Sequence, residues 1–247
     1  MTLLSWNIRQ GGGTRVARIV DSITAHDPDV IALSEYRGNP GVPLCDALKS
    51  RGWQHIQSTN PAGSDNGLCV LSRTPMVRSR ACPAPPENLV RWLDIDLPEY
   101  GFGFALLHIL CSVPKLRDGV PGEAKTRFWQ AVLGAAAARR HEPFLFVGDF
   151  NTGAHRLDET GKTFVCADHF VKLSASGWTD VWRHHNPGPT EYTWFSTLKG
   201  GLRGNGFRID HAFATPVLLA RIASCRYSHA EREARISDHS GLILEVQ

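Results

Sequence analysis

The stretch Pro143–Gly153, Pro-Phe-Leu-Phe-Val-Gly-Asp-Phe-Asn-Thr-Gly, constrains the fold of this chain more than any other. Phe144 to Val147 form an apolar run, Gly148 ends it, and Asp149 and Asn151 follow at once. A buried strand that delivers a carboxylate and an amide to its C-terminal rim is a common way to build a site in an α/β protein. Taken alone, the stretch reads first as a strand followed by an ordinary Asp/Asn turn. Two more elements repeat the pattern: Phe207-Arg208-Ile209-Asp210-His211 and Ile236-Ser237-Asp238-His239-Ser240.

The chain opens in the same style. Leu3–Ile8 reads as a strand ending in Asn7, followed by a Gly-rich loop, Gln10–Arg15. Val16, Ile19, Val20 and Ile23 recur at helical spacing within Thr14–His26. Asp27-Pro28 ends that helix, and Val30–Leu33 is a second apolar run leading into Ser34-Glu35. A short helix over Leu44–Arg51 follows, with Gly52 as its stop. Five strands are then expected, at Trp53–Ser58, Gly67–Arg73, Met76–Cys82, Leu89–Leu97 and Phe102–Cys111. In the fourth, Leu93, Ile95 and Leu97 alternate with Asp94 and Asp96, as in a half-buried strand. So many strands in succession point to antiparallel sheet rather than a continuous βαβα chain. Glu123–Arg140 is a helix with Phe128, Trp129, Val132, Leu133 and Ala136 on one face, and Asp168–Ser176 is another, ended by Gly177. Strands are expected again at Tyr192–Ser196, Phe207–Ala214, Ala223–His229 and Gly241–Val246, with a helical turn or two in Pro216–Ile222. No linker divides the 247 residues, so 1–247 is expected to be one domain: two similar, mostly antiparallel sheets packed face to face.

Composition narrows the function classes. The net charge of +3, with no run of like charges, suits a phosphate-bearing substrate but is far from that of a histone-like DNA binder. The six cysteines, Cys45, Cys69, Cys82, Cys111, Cys166 and Cys225, include no Cys-x-x-Cys pair. That excludes the usual zinc frameworks and suggests free thiols in a reducing cytoplasm. No signal peptide is legible at the N-terminus, and no apolar run reaches the ~18–20 residues of a membrane span. No membrane partner is therefore expected.

Asn7, Glu35, His108, Asp149, Asn151, Asp210, Asp238 and His239 all end or sit in candidate strands. Strands of one sandwich can bring such ends together. Carboxylates with amides and one or two His residues suit a hard cation such as Mg²⁺, with Mn²⁺ as a second candidate. An Asp–His pair beside a metal-bound phosphate is a constellation for phosphoester hydrolysis.

Five motifs in order resemble the metal-dependent endonuclease/exonuclease/phosphatase superfamily: Ser5-Trp6-Asn7, Pro28–Glu35, Gly148-Asp149-Phe150-Asn151, Arg208-Ile209-Asp210-His211 and Ser237-Asp238-His239. The resemblance implies an α/β fold in the form of a four-layered α/β sandwich, two packed mostly antiparallel sheets flanked by helices. Asp180-Val181-Trp182-Arg183-His184, Tyr192-Thr193-Trp194-Phe195 and Gly206-Phe207-Arg208-Ile209-Asp210 are similar to the exonuclease-III-type apurinic/apyrimidinic endonucleases. Departures are visible. Ser34 stands where that branch usually has Gln, Arg37 where it has Lys, and Asn205 is displaced. The branch's active-site Tyr has no match, Leu106–Pro114 offering His108 or Ser112 instead.

By this resemblance Glu35, Asn7 and Asp238 hold the metal. Asp149 handles the attacking water, and Asn151 bonds the nucleophile or a phosphate oxygen. His239, paired with Asp210, is either base or phosphate stabiliser, and His108 is a second phosphate contact. Trp194 and Phe207 wall a pocket for a flipped, base-less sugar or terminal nucleotide. Arg37 and Arg208 contact backbone phosphate, as do the Gly-rich loops Gln10–Arg15 and Lys199–Asn205. The expected partner is DNA, as abasic duplex, 3′ ends or single strands, bound by a monomer. The expected activity is abasic-site endonuclease, 3′-to-5′ exonuclease or both. The alternatives are a phosphatase or phosphodiesterase on small or lipid phosphates and a non-catalytic binding domain.

Overall fold

The computed structural model describes residues 1–79, 83–111, 123–198 and 203–247. In chain order the elements are β1 (Thr2–Asn7), α1 (Val16–His26), β2 (Val30–Tyr36), α2 (Gly38–Lys49), β3 (His55–Ser58), β4 (Gly67–Ser72), β5 (Val77–Arg78), β6 (Trp92–Leu97), β7 (Phe102–His108), α3 (Glu123–Arg139), β8 (Phe144–Asp149), α4 (Ala167–Ala175), β9 (Thr179–Asp180), α5 (Val181–His185), β10 (Trp194–Thr197), β11 (Arg203–Phe207), β12 (Asp210–Ala214), α6 (Pro216–Leu219), β13 (Ile222–Ser228), α7 (Ala230–Glu233) and β14 (Gly241–Val246).

Two six-stranded sheets carry the fold, ordered β13-β14-β1-β2-β4-β3 and β5-β6-β7-β8-β12-β9, with β10-β11 as a separate hairpin. Each large sheet has one parallel pair at its centre, β1 with β2 and β7 with β8, flanked by antiparallel strands. A parallel pair needs a crossover; α1 supplies it in the first sheet and α3 in the second. The two sheets pack face to face over Leu3, Val30, Val70, Ile95, Phe104, Leu106, Leu145 and Val147. Their outer faces are covered by α1 and α2 on one side and by α3 and α4 on the other. The molecule is thus a four-layered α/β sandwich of two mixed sheets, with β1 and β2 crossing over β7 and β8.

Being covered on both faces explains the unalternating apolar runs. Phe144 and Phe146 pack outward with Trp178, while Leu145 and Val147 point into the inter-sheet core. Phe128 and Trp129 of α3 are fully buried in the outer layer, and truncating either to Ala should cost roughly 3–5 kcal/mol. Gly148 is required where β8 meets β7. Its φ is +133°, and an added Cβ would stand 2.1 Å from the Leu107 carbonyl oxygen.

Several expectations change. β6 is not half-exposed. Asp94 is buried because α3 covers that face, and it accepts hydrogen bonds from Trp92 Nε1 and Arg139. The Leu89–Leu97 stretch begins as a 3₁₀ turn, Pro86–Arg91, before the strand. α2 starts at Gly38, earlier than Leu44, and runs through Pro43. Phe207–Ala214 is not one strand: Arg208 and Ile209 break it, so β11 and β12 belong to different sheets. The ends of two expected segments, 80–82 and 199–202, lie outside the described residues, as does Ser112.

Candidate active site

The C-terminal ends of the two central parallel pairs meet at one rim. Register places Asn7 beside Ser34 across β1 and β2, and His108 beside Asp149 across β7 and β8. Asp210, the first residue of antiparallel β12, faces Asp149 from the other side. The loop before β14 completes the rim with Asp238 and His239. It is fixed by Ser237 Oγ donating to the Asn7 carbonyl (2.6 Å) and by Trp6 Nε1 donating to the His239 carbonyl (3.1 Å).

Asp149 is the centre of this rim. Its Oδ2 accepts from Asn7 Nδ2 (3.0 Å) and its Oδ1 from the Asn151 backbone N–H (2.9 Å). Burial, more than any neighbour, pushes its carboxyl up to about 7, with Asp210 adding to the rise and His239 opposing it. His239 Nδ1 lies 3.0 and 3.2 Å from the two Asp210 oxygens. Burial disfavours the charged ring. The Asp210 charge and hydrogen bond, helped by Asp149 and Asp238, outweigh it and raise His239 to about 10. The ring is therefore an imidazolium at neutral pH, with Nδ1–H donated to Asp210. That favours the phosphate-stabilising role over the base role for His239.

His108 is the opposite kind of histidine. Burial, the neighbouring Arg91 and His239 push it down to about 3, so it is neutral. Arg91 Nη1 lies 3.2 Å from its Nδ1. A guanidinium only donates, so Nδ1 accepts and the proton sits on Nε2. That Nε2–H faces Asp149 Oδ2 at 3.7 Å and Glu35 Oε1 at 3.9 Å.

Glu35 accepts at Oε2 from the Gln10 N–H (2.8 Å), and its Oε1 lies 3.4 Å from Asn7 Nδ2. Glu35 and Asn151 both hold left-handed backbone, at φ +58° and +45°, which non-glycine residues adopt rarely outside constrained sites. Asp238 accepts from Trp194 Nε1 at 3.3 Å. Asp149, Asp210 and His239 offer ligand atoms within 4.8 Å of one another. Asn7, Glu35 and Asp238 at the same rim present further oxygen donors, the kind a hard cation prefers.

Beside Asn151 a cavity of about 170 Å³ is walled by Trp194, Phe207, Phe164 and Ile209, with Lys125 and Cys111 also lining it. Trp194 and Phe207 pack at 5.8 Å between ring centres, and Phe164 meets Phe207 edge-on at 5.6 Å. Arg37 is partly exposed beside the Gly11 loop and donates to Asn66 Oδ1 (2.8 Å).

Arg208 is corrected. It is fully buried, donating from Nε to Asp158 (2.7 Å) and from Nη1 and Nη2 to Asp180 (3.1 and 2.5 Å). Its guanidinium is consumed in holding the break between β11 and β12 and cannot contact a phosphate. Sequence reasoning missed Lys125, Phe164 and Arg91. Lys125 left one signal: it occupies the apolar face of α3, three and four residues before Phe128 and Trp129.

These features define an α/β sandwich protein with a carboxylate, amide and imidazole site at its strand ends. A sequence model of the Endonuclease/Exonuclease/phosphatase family matches residues 4–239, and the chain belongs to that family. It is 21% identical over 236 residues to a DNA-(apurinic or apyrimidinic site) endonuclease of Dictyostelium discoideum. That alignment covers 90% of this chain and 64% of the relative, so the chain spans less than two thirds of that protein's length. Solved structures share the fold. An AP endonuclease from Archaeoglobus fulgidus superposes with a TM-score of 0.85 at 20% identity, covering 100% of this chain and 99% of that one. A 3′ phosphatase (NExo) from Neisseria bound to product DNA hairpin gives 0.82 at 21%, with the same coverage. The 3′-5′ exonuclease from Neisseria meningitidis gives 0.81 at 23%, with full coverage of both.

Proposed function

We propose that this chain is a divalent-metal-dependent phosphodiester hydrolase acting on DNA, an abasic-site endonuclease with 3′-to-5′ exonuclease or 3′-end-cleaning activity. The observation that carries the reading is the buried Asp149 carboxylate, held by Asn7 and flanked by the His239–Asp210 ion pair, next to an aromatic-walled pocket. The kinship to a DNA-(apurinic or apyrimidinic site) endonuclease supports the substrate class.

Glu35, Asn7 and Asp238 would hold Mg²⁺, or Mn²⁺ in its place. When bound, the cation neutralises phosphate charge and stabilises the leaving oxygen. The protein's own groups do the rest. Asp149 takes a proton from water, and a carboxyl raised to about 7 is a base of useful strength near neutrality. The water oxygen bonds to phosphorus, the opposite P–O bond breaks, and the leaving oxygen takes a proton from solvent water while the protonated Asp149 returns its own to bulk. The His239 imidazolium donates to a non-bridging oxygen that gains charge in the transition state. The His108 Nε2–H is a second donor. Asn151 Nδ2 donates to the Ile109 carbonyl (3.0 Å), which orients its side-chain oxygen. Trp194 and Phe207 receive the base-less sugar, and Arg37 meets the backbone at the rim. The chain acts as one catalytic domain over 1–247, as a monomer in the cytoplasm, with no membrane partner.

Single-turnover incision of an abasic duplex by Asp149→Asn, Glu35→Ala and His239→Ala tests this. Each should fall on the order of 10²–10³-fold or more while keeping its fold. Near-normal activity in His239→Ala would move the centre elsewhere.

A further inference from the structure

Tyr192–Phe195 stands out in the sequence for its aromatics, but the residue this segment turns inward is Thr193, which is fully buried. Its Oγ1 accepts the backbone N–H groups of both Ile209 (3.1 Å) and Asp210 (3.3 Å). Those two N–H groups lie where the chain leaves β11 for β12 and changes sheet. A strand that changes sheet loses its ladder partners, and buried N–H groups at the break need another acceptor. The carbonyls beside them are taken as well. Ile209 accepts from the Phe150 N–H (2.8 Å), and Asp210 accepts from Tyr227 Oη (2.6 Å).

The main chain of Thr193 reaches the other half of the site. Its carbonyl accepts the N–H of Ser240 (3.0 Å), the residue after His239, and its own N–H donates to the Phe207 carbonyl (2.9 Å). One residue therefore holds both segments whose side chains meet as the Asp210–His239 pair. That pair depends on direction as well as distance, because hydrogen bonds weaken steeply once misaligned. A turn of the backbone at Asp210 would carry its carboxylate off the His239 ring. The Thr193 hydroxyl opposes that turn, since releasing it leaves two buried donors unpaired.

We infer that Thr193 is a positioning residue for His239: its hydroxyl fixes the Asp210 backbone, Asp210 fixes the ring, and turnover depends on a hydroxyl buried beneath the rim. This rests on the hydrolase reading above.

The test is a double-mutant cycle. Thr193→Val keeps the branched shape and both main-chain bonds and removes only the hydroxyl, whereas Thr193→Ser keeps the hydroxyl. Turnover of an abasic duplex with Mg²⁺ is measured for the full chain, both variants, His239→Ala and the Thr193→Val/His239→Ala double variant. Each rate is corrected for the folded fraction seen by circular dichroism. In Thr193→Val, kcat should fall roughly 10- to 100-fold, as for a misplacement remote from the chemistry, with KM within about 2-fold. Thr193→Ser should recover most of that loss. In the His239→Ala background, Thr193→Val should cost no more than about 2-fold, because the ring it positions is gone. Thr193→Cys, with a weak acceptor in place of the oxygen, takes the place of Thr193→Val in the cycle if that variant does not fold. An equal loss in both backgrounds, a Thr193→Ser variant as slow as Thr193→Val, or an unchanged kcat in Thr193→Val overturns the proposal and leaves Thr193 a structural residue. Inertness of the unaltered chain on the abasic duplex would instead overturn the hydrolase reading, and this inference with it.

Discussion

His239, in the loop before β14, and Asp210, at the start of β12, form a buried charged pair, Nδ1 lying 3.0 Å from Oδ2, although they sit 29 residues apart. Asp210 holds the ring in one orientation and keeps it protonated against the effect of burial. Asp210→Asn removes that charge and leaves burial dominant. The His239 imidazole, titrating at about 10 in the metal-free protein, should then titrate well below that value, with only Asp149 and Asp238 left to oppose burial. The raised value also makes His239 a stabiliser at low and neutral pH. Its contribution is complete below ~6.5 and fades as pH rises through about 10. Imidazole NMR titration of the two proteins checks both statements; an unchanged His239 titration in Asp210→Asn would contradict the pairing.

His108 should show the reverse. Arg91 fixes it as the neutral tautomer with Nε2 protonated. ¹⁵N chemical shifts should report that tautomer throughout pH 5–8, with no titration until about 3. His108→Ala should lose roughly 10²-fold in rate, as for other donors aimed at developing charge, and Arg91→Met should release the tautomer.

Arg208 should behave as a structural residue. Arg208→Met leaves Asp158 and Asp180 without their shared partner. The loss should be about 3–5 kcal/mol in urea unfolding. At temperatures where the variant is still folded, its affinity for DNA should stay close to that of the unaltered chain. Wild-type stability with weakened DNA affinity would restore Arg208 as a phosphate contact.

α7, which leads into the loop carrying Asp238 and His239, is stapled to α1. Glu231 accepts from Ser22 Oγ (2.7 Å) and pairs with His26 Nε2 (2.6 Å). Burial opposes its charge, but hydrogen bonds from His26, Ser228 and Ser22 win and lower it to about 2. A depressed carboxyl stabilises the fold above its ordinary ~4.5, and the effect disappears as pH falls toward 2. Glu231→Gln should therefore cost about 1–3 kcal/mol at pH 7, the difference shrinking below pH ~4.5 and approaching zero only as pH nears 2. Chemical denaturation at both pH values measures the difference.

Most of this architecture was legible in the residues. β14 was readable to its ends, and α1 and α3 nearly so, because each has clear punctuation: Gly241 at the start of β14, Asp27-Pro28 after α1, and buried aromatics along α3. The rim residues Asn7, Glu35, His108, Asp149, Asp210 and His239 could be gathered because polar groups ending apolar runs are conspicuous. Asp94 and Arg208 misled for one physical reason. A charged residue in a strand looks solvent-facing unless its buried partner is known, and Arg139, Asp158 and Asp180 lie 45, 50 and 28 residues away. The break at Arg208-Ile209 was hidden because β11 and β12 run together in sequence with no Gly or Pro between them. Lys125 was read as part of a helix because the pocket beside Asn151 is drawn from six separate segments, which leave no local pattern.

The most direct test of the catalytic proposal is incision of a duplex carrying one abasic-site analogue. An intact duplex and a small sugar phosphate are run beside it, each with Mg²⁺ or with EDTA. The expected result is cleavage at the abasic site that EDTA abolishes and that Asp149→Asn reduces by orders of magnitude. Inertness on both duplexes with turnover of the small phosphate, or abasic cleavage that persists in EDTA, would contradict it.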